Sequence, residues 1–501
     1  MHLFNTFNRR LERFESKQAK QVTMYVCGPT VYDVPHLGHA RSAYVFEVLR
    51  RYLEFKGYTV KFVRNVTDVD DKIIEKTRKE LGIGDKRQGT GGLKEKCREV
   101  AERYLKAYHE AMDRLGIRPP DIEPKATDHV VPEMTDLIGK LLVTGSAYEA
   151  NGDVYFAVRH FPGYGRLSNR SLDELQTGVR VEPEEHKRDP LDFALWKAAK
   201  PDEPFWESPW GKGRPGWHIE CSAMSTKYLG DSFDIHGGGL DLIFPHHENE
   251  IAQSTAAGSP FAKYWVHHGL LTVNGEKMSK SLGNFLTLDD ALKECGGDAD
   301  ALKIFFLGTH YRNPIDYTVE NLRAARKRQL GVLMFLERVD KGWRSSAEIP
   351  TAAPKELDDL TTQFGEAMDG DLNTPQALAV LDSLVRLGNE WEQNLRSQMT
   401  PPPGGRRRGF AELRAQQLLK GNIVLIADTI QKLGSVLGLF QREEEYKAVE
   451  LTPEQHALLD HREEARKRKD FRRADQIRQE LGAMGLVVED TEQGPIVRRK
   501  R

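Results

Sequence analysis

The feature that most constrains the fold is a strand–helix–strand pattern near the start of the chain. Residues 22–27 form a short apolar run rich in β-forming side chains, and a glycine-containing turn follows it. Residues 38–56 then repeat apolar side chains every three or four positions, as an amphipathic helix does, and Gly57 is placed to end it. Residues 58–63 are typical of a second strand. Two strands joined by one helix form a βαβ unit, which predicts a parallel sheet and an α/β domain.

Composition narrows the class of protein further. Of the 501 residues, 39% are hydrophobic and 30% charged, and no apolar run approaches the roughly 20 residues of a membrane-spanning helix. Lys and Arg number 73 against 75 Asp and Glu, so any nucleic-acid contact has to come from local basic patches. Four cysteines in a chain of this length do not make a disulfide framework, and the start shows no secretory signal pattern. We therefore expect a cytoplasmic protein whose thiols are free for metal binding or catalysis.

An insertion is predicted to interrupt the sheet domain. From about residue 118 a proline-rich joint leads to a helix near 132–143 and to a β-hairpin over 147–157 with an Asn-Gly turn. The stretch 189–217, dense in Pro, Gly and Trp, is predicted to be loop. Strand-like runs then return, at 232–236 and 264–268.

After about residue 317 the pattern is almost entirely helical. Three helical regions are predicted, over 319–344, 354–397 and 410–439. A linker rich in Pro, Gly and Arg separates the last two regions. A last, highly charged helix is predicted over 456–481.

The motif His36-Leu37-Gly38-His39 lies where the first strand gives way to the helix. Helix N-termini present free N–H groups and a partial positive charge, which favours phosphate. Two imidazoles there can donate to phosphate oxygens, while Gly38 lets a nucleotide approach the backbone. Taken alone, the motif is equally compatible with ordinary polar surface histidines.

A second motif, Lys277-Met278-Ser279-Lys280-Ser281, follows a strand and an Asn-Gly turn. Two lysines three apart on a loop suit a triphosphate, and especially the charge on a departing pyrophosphate. Alone, such a loop is more often solvated surface. Both motifs in this order, each after a candidate strand, favour a nucleotide site.

Four residues are of the types that bind zinc: Cys27, Cys221, His246 and Glu250. His246 and Glu250 are four positions apart, so on a helix they share one face. His247 is the alternative ligand. Each cysteine alone is equally a small buried hydrophobic residue, which is the expected role of Cys97 and Cys295.

The motifs and their order resemble the class I aminoacyl-tRNA synthetases and, within them, the cysteinyl-tRNA synthetases. The likeness rests on four stretches: Cys-Gly-Pro-Thr-Val-Tyr-Asp from residue 27, Gly-Trp-His-Ile-Glu-Cys-Ser-Ala-Met from 216, Asp-Ile-His-Gly-Gly-Gly from 234 and Phe-Pro-His-His-Glu-Asn-Glu from 244. It covers essentially the whole chain. It implies a Rossmann-like, parallel-sheet catalytic domain with an α+β insertion, followed by a helical C-terminal half.

The resemblance also implies the roles of single residues. It makes Cys27, Cys221, His246 and Glu250 the ligands of one zinc ion per chain. It makes Thr67, Trp217 and His236 the surroundings of a cysteine substrate, although Thr67 could instead cap a helix from Asp68. The implied catalytic residues are His36, His39, Lys277 and Lys280, and those that bind ATP are Gly38, His39 and Lys280. The implied partners are cysteine, ATP with Mg²⁺ and the cysteine tRNA, with no membrane, and the family implies a monomer.

The predicted domains follow the same resemblance. They are the first half of the catalytic domain at 1–117, the insertion at 118–215, the second half with the lysine-containing loop at 216–317, a stem-contact region at 318–350, a helical bundle at 351–445 and an anticodon-binding region at 446–501.

Two other functions remain open at this point. A cysteine ligase of the mycothiol pathway shares the adenylation site but joins cysteine to an amino sugar, and the segment beyond residue 452 argues against it. A non-catalytic RNA-binding paralogue is the other, and the complete set of nucleotide and zinc motifs argues against that one.

Overall fold

The computed structural model describes residues 1–82, 92–178, 186–200, 203–278, 283–399, 409–440, 452–468, 470–484, 486–491 and 494–499. The chain divides into two compact units. The first comprises Met1–Gln329, Lys355–Leu384 and Lys432–Leu439, and the second comprises Leu330–Pro354, Val385–Gln431 and Phe440–Arg501.

The described strands are, in chain order, β1 (His2–Asn5), β2 (Arg10–Arg13), β3 (Gln21–Val26), β4 (Thr59–Arg64), β5 (Ala147–Ala150), β6 (Asp153–Phe156), β7 (Phe193–Ala198), β8 (Gly213–Pro215), β9 (Ser232–Gly239), β10 (Phe261–His268), β11 (Leu271–Val273), β12 (Glu276–Lys277), β13 (Ile315–Tyr317), β14 (Leu486–Thr491) and β15 (Gly494–Arg499).

The described α-helices are α1 (Leu37–Phe55), α2 (Asp71–Glu80), α3 (Leu93–Arg114), α4 (Thr135–Val143), α5 (Leu172–Gly178), α6 (Trp217–Leu229), α7 (Glu248–Ala256), α8 (Leu288–Glu294), α9 (Ala299–Leu307), α10 (Val319–Gly342), α11 (Lys355–Asp369), α12 (Thr374–Met399), α13 (Phe410–Val436), α14 (Pro453–Lys467) and α15 (Phe471–Ala483). None of these helices is both long and apolar enough to span a bilayer.

A four-stranded parallel sheet, in the order β10-β9-β3-β4, is the centre of the first unit. The predicted βαβ unit is confirmed, since β3 and β4 pair in parallel and α1 connects them. Gly57 ends α1 as predicted, with a φ of 81° that side chains disfavour. Strands β9 and β10 also pair in parallel, which confirms the two later strand predictions. The fold is therefore the expected α/β class.

A buried arginine in α1 binds the stretch of chain that follows strand β10. Arg41 is 1% exposed, and its guanidinium donates to the backbone carbonyls of Gly269 and Leu270 at 2.7 Å. It also donates to the carbonyls of Tyr311 at 3.3 Å and Asn313 at 2.6 Å. Since a buried cation needs partners, these four oxygens explain how Arg41 is tolerated, and they hold the chain after β10 against α1.

The insertion contains an antiparallel sheet in the order β5-β6-β7-β8. The predicted hairpin is confirmed, and Asn151 and Gly152 have the positive φ values, 53° and 87°, of a tight hairpin turn. The prediction of loop over 189–217 is wrong, because β7 and β8 lie within it. Strand β7 pairs with β6 and buries Trp196 completely. Tertiary pairing thus overrides the local abundance of Pro and Gly.

The second half of the chain is helical, as predicted, with two corrections. The region 354–397 is two helices, α11 and α12, and Asp371 and Leu372 between them have positive φ. The helix predicted over 456–481 is also two helices, because the side chain of Asp470 caps α15. After α15 the chain forms the hairpin β14–β15. A small apolar core fills this C-terminal part, made of Leu459, Ile477, Leu481, Leu486 and Val488.

Candidate active site

A cavity of about 670 Å³ lies at the carboxyl ends of the parallel strands. Its lining includes the last residue of each strand: Val26, Arg64, Gly239 and His268. Open parallel sheets bind their ligands at this edge. The cavity is therefore the candidate site, and it is also lined by Cys27, His36, Gly38, His39, Trp217 and Lys277.

Two stacked histidines form the start of α1. The Nδ1 atom of His36 accepts a hydrogen bond from the Gly38 N–H at 3.1 Å, and Nδ1 of His39 accepts from the His36 N–H at 3.2 Å. The rings stack with centroids 3.8 Å apart. Because both Nδ1 atoms are acceptors, the proton of each neutral ring is on Nε2.

Burial keeps both of these imidazoles neutral. It lowers the pKa of His36 to about 4, against a small opposing effect of Asp241. Burial, with the charges of His36 and Lys72, lowers the pKa of His39 to about 3. The two rings therefore offer Nε2–H groups, and no positive charge, at neutral pH.

Gly38 has a steric reason to be glycine. A Cβ atom there would lie 2.9 Å from Cε1 of His36, closer than side chains tolerate. The glycine therefore lets His36 adopt its capping position.

Only part of the lysine motif can be placed. Lys277 ends β12, is exposed and lines the cavity, and Met278 lines it too. Ser279, Lys280 and Ser281 lie outside the described residues.

The predicted metal ligands come together from four places: the residue after β3, helix α6, the turn before α7 and α7 itself. Their donor atoms all lie within 4.8 Å of one another: Cys27, Cys221, His246 and Glu250. The two Sγ atoms are 3.7 Å apart, Sγ of Cys27 is 3.4 Å from Oε1 of Glu250, and Nε2 of His246 is 3.1 Å from that oxygen. A tetrahedral zinc ion with bonds of about 2.0–2.3 Å holds its ligand atoms about 3.3–3.8 Å apart. Two of the three separations, 3.7 and 3.4 Å, lie in this range and the third, 3.1 Å, lies just below it, so the spacing is close to that of a zinc site.

The environment of His246 also fits a metal ligand. The ring is 1% exposed, and Nε2 faces another candidate ligand, Oε1 of Glu250, at 3.1 Å. Nδ1 lies 2.9 Å from Nδ1 of His218, a partner that fixes the ring orientation and leaves Nε2 for coordination. The ring of Trp217 stacks on the ring of His246, with centroids 4.2 Å apart.

The charges in the cluster favour a cation. Burial and the adjacent Cys221 and Glu250 raise the pKa of Cys27. Burial raises the pKa of Cys221, but the hydrogen bond from Cys27 and the charge of His246 outweigh burial and lower this pKa to about 6. Burial also opposes ionisation of Glu250, but His236 and His246 hold its pKa well below its ordinary value. A thiolate and a carboxylate thus converge in a buried space, as in a metal site.

A second group of possible ligands shares Cys27 and Glu250 and adds His236 and His247. Nε2 of His236 is 2.8 Å from Oε2 of Glu250, and Nε2 of His247 is 3.3 Å from Sγ of Cys27. Nδ1 of His247 is 2.8 Å from Nε2 of His267. Both rings therefore have hydrogen-bond partners, and the first group, with two sulfur atoms, is the better zinc set.

The three predicted cysteine-pocket residues have different positions. Trp217 is 38% exposed and lines the cavity. His236 is not among the described residues that line the cavity: it is fully buried, with Nε2 2.8 Å from Oε2 of Glu250, and its ring stacks on Trp265 with centroids 4.4 Å apart. Thr67 is 1% exposed and donates to Oε2 of Glu220 at 2.9 Å. The alternative role of Thr67 as a helix cap is wrong, because α2 begins at Asp71, with Asp70 as its cap.

Several residues of the cavity did not stand out in the sequence. Lys72 and Asp241 line it beside the predicted residues, as do the buried Arg41 and Arg64. For Lys72 and Asp241, the sequence signal that could have identified them is their position after a predicted parallel strand. Lys72 follows β4 and Asp241 follows β9, where the side chains of an open parallel sheet meet a ligand.

Comparison with known proteins agrees with this geometry. Residues 13–327 match the family of class I (C) tRNA synthetase catalytic domains, residues 363–441 match the DALR domain, and residues 448–498 match the cysteinyl-tRNA ligase anticodon binding domain. The cysteine–tRNA ligase of Thermodesulfovibrio yellowstonii is 47% identical over 510 residues, which cover 98% of each chain. That of Oleidesulfovibrio alaskensis is 47% identical over 511 residues, which cover 99% of each.

Solved structures show the same fold at low identity. The methionyl-tRNA synthetase of Mycobacterium tuberculosis, in complex with methionyl-adenylate, is 15% identical with a TM-score of 0.60, over 87% of this chain and 95% of that one. A putative arginyl-tRNA synthetase of Campylobacter jejuni is 14% identical with a TM-score of 0.57, over 86% of this chain and 95% of that one. With relatives of nearly half identity over its whole length, the chain belongs to the cysteine–tRNA ligase family of class I tRNA synthetases.

Proposed function

We propose that the chain attaches cysteine to its cognate tRNA in two steps. A carboxylate oxygen of cysteine attacks the α-phosphorus of ATP, and pyrophosphate leaves. A terminal ribose hydroxyl of the tRNA then attacks the acyl carbon, and AMP leaves. We refer to Cys27, Cys221, His246 and Glu250 as the metal-type cluster. The observation that carries the proposal is that one cavity is lined both by Cys27 of this cluster and by His36 and His39 at the N-terminus of α1.

Selection of cysteine is the task of the metal-type cluster. Packing distinguishes side chains that differ by one small group by only about 1–3 kcal/mol, so shape alone separates cysteine poorly from serine. Zinc held by Cys27, Cys221, His246 and Glu250 would supply a soft acceptor that favours a substrate thiolate over a hydroxyl. Trp217, at the cavity wall and stacked on His246, is in position to cover the substrate side chain. The same chemistry makes a separate hydrolytic editing site unnecessary.

The phosphates of ATP, which enters with Mg²⁺, are bound at the start of α1. The Nε2–H groups of His36 and His39 donate to phosphate oxygens, and Gly38 leaves room for the nucleotide. Lys277 and Lys280 stabilise the charge that develops on pyrophosphate. Positioning and electrostatics are sufficient for both steps, and no covalent nucleophile is needed.

The C-terminal part of the chain supports tRNA as the acceptor. Its match to an anticodon binding domain begins at residue 448, two residues from the predicted start at 446, and the catalytic match ends at 327. The domain boundaries stay predictions, as do the monomeric state and the cytoplasmic location. If the acceptor were an amino sugar instead of tRNA, the segment that matches an anticodon binding domain would have no role.

Charging of bulk tRNA with radiolabelled cysteine tests the proposal. We expect acid-precipitable cysteine that depends on ATP and tRNA, and cysteine-dependent exchange of pyrophosphate into ATP without tRNA. Exchange without charging, together with product on an amino-sugar acceptor, would identify the ligase alternative. Absence of both activities would leave the RNA-binding alternative.

A further inference from the structure

The cavity contains more positive charge than the two sequence motifs account for. Four described cationic side chains line it: Arg41, Arg64, Lys72 and Lys277. Arg41 is buried and already donates to four backbone carbonyls. Arg64 is 3% exposed, lies 3.5 Å from Glu123 and stacks over Tyr108. Arg41 therefore serves the structure and Arg64 is buried against Glu123 and Tyr108, whereas Lys72 and Lys277 are exposed.

Lys72 is held at the cavity wall. It is the second residue of α2, and its backbone N–H donates to the capping carboxylate of Asp70 at 2.9 Å. Its Nζ atom lies 5.3 Å from the ring centroid of Tyr32, which also lines the cavity. This cation–π contact orients the ammonium group without neutralising it.

The charge of Lys72 has no acidic partner within the part of the chain that the structure describes. The other cations around it are paired. Lys76, one turn further along α2, lies 4.0 Å from Asp33 and 3.8 Å from Glu80. Asp71, directly before Lys72, pairs instead with Lys197 and Arg214. The unpaired ammonium is therefore available to an anion in the cavity.

Lys72 and Lys277 are on chain segments that follow opposite edges of the parallel sheet. Strands β4 and β10 are the two edges of the parallel sheet, and Lys72 follows β4 while Lys277 follows β10. The two histidines at the start of α1 lie beside the same cavity, and Lys72 is close enough to His39 to help keep the pKa of that ring low, after burial and His36. Because both rings are neutral, cations must balance the charge of any polyphosphate bound there.

We propose that Lys72 is a further phosphate-binding residue that contacts the polyphosphate of ATP from the β4 side of the site. The proposal deepens the proposed function and rests on ATP as the substrate. An ammonium–phosphate contact in a partly enclosed site is a charge-assisted hydrogen bond, whose loss weakens binding by about tenfold or more.

Equilibrium binding and pyrophosphate exchange without tRNA test the role of Lys72. In the full-length protein, Lys72→Met should raise the Kd and the KM for ATP by about tenfold, whereas the KM for cysteine and the Kd for adenosine stay unchanged. Lys72→Arg should keep most of the affinity, because it keeps the charge. Lys76→Met, which removes the same charge from the same helix outside the cavity lining, is the matched control and should resemble the wild type.

Three outcomes would overturn the proposal. The first is ATP affinity that is unchanged in Lys72→Met. The second is an equal loss in Lys76→Met, which would reveal a general field effect. The third, measured by tRNA charging, is a higher KM for tRNA with an unchanged KM for ATP, which would mean that Lys72 contacts the RNA. The binding measurement does not depend on turnover, so it tests Lys72 even if the wild type fails to charge tRNA, and that failure would count against the proposed function alone.

Discussion

At the residue scale, the sulfur of Cys221 is expected to decide metal binding. Serine has nearly the same shape, but its hydroxyl is a poor zinc ligand, so Cys221→Ser should lose most of its zinc and its cysteine-dependent exchange. Elemental analysis of the purified variant, alongside the exchange rate, checks this. Cys97→Ala is the control, since Cys97 is buried away from the cluster. A variant that kept full zinc or full exchange would remove this residue from the metal site.

The second prediction at this scale concerns acid stability. Burial lowers the pKa of His39 to about 3, whereas its ordinary value is 6.5. Below pH 6.5 the unfolded chain takes up a proton that the folded ring refuses, so stability is full above that pH and falls toward pH 3. One such group contributes a slope of up to about 1.4 kcal/mol per pH unit.

His39→Gln should therefore flatten the fall of the melting temperature between pH 6.5 and 4.5, measured by scanning fluorimetry. The exposed His456→Gln serves as the control and should follow the wild type. If the wild type and His39→Gln show parallel pH profiles, His39 is not a buried neutral ring.

At the element scale, the start of α1 combines a helix cap with the proposed phosphate site. A Cβ at residue 38 would displace the ring of His36 and break the bond from the Gly38 N–H. We expect Gly38→Ala to reduce pyrophosphate exchange at least about tenfold, because that bond holds the ring of His36, on which the ring of His39 stacks. Gly139→Ala in α4 is the matched control: nothing lies within 4 Å of its Cβ, so activity should be retained and stability should rise slightly. Unchanged exchange in Gly38→Ala would show that the cap geometry does not matter.

At the scale of the whole molecule, nucleotide chemistry and tRNA binding should separate. The C-terminal part from Thr452 has its own small core, formed by Leu459, Ile477, Leu481, Leu486 and Val488. A chain that ends at residue 451 should keep cysteine-dependent pyrophosphate exchange and charge tRNA with a much higher KM. The two assays on one preparation, with a circular-dichroism spectrum, give the comparison. Equal loss of both activities would contradict the assignment of this segment to tRNA.

Local sequence patterns predicted the elements that are specified by residues close together in the chain. The βαβ unit over β3, α1 and β4 follows from apolar spacing, and the hairpin β5–β6 follows from its Asn-Gly turn. The break between α14 and α15 was missed because the helical period continues through it, and only the cap at Asp470 ends the run. Strand β7 was missed because its stability comes from pairing with β6, not from its own neighbours in the chain.

The fold class, the nucleotide motifs and, through resemblance, the four residues of the metal-type cluster can be inferred from the order of the amino acids. The folded chain was needed to show that Cys27 and Cys221, 194 positions apart, lie with their sulfur atoms 3.7 Å from each other. It also showed which rings around them already have partners and that Lys72, among the described residues, has no acidic partner. The physical reason is that periodicity and turn chemistry act between neighbours in the chain, whereas charge, burial and coordination act through space.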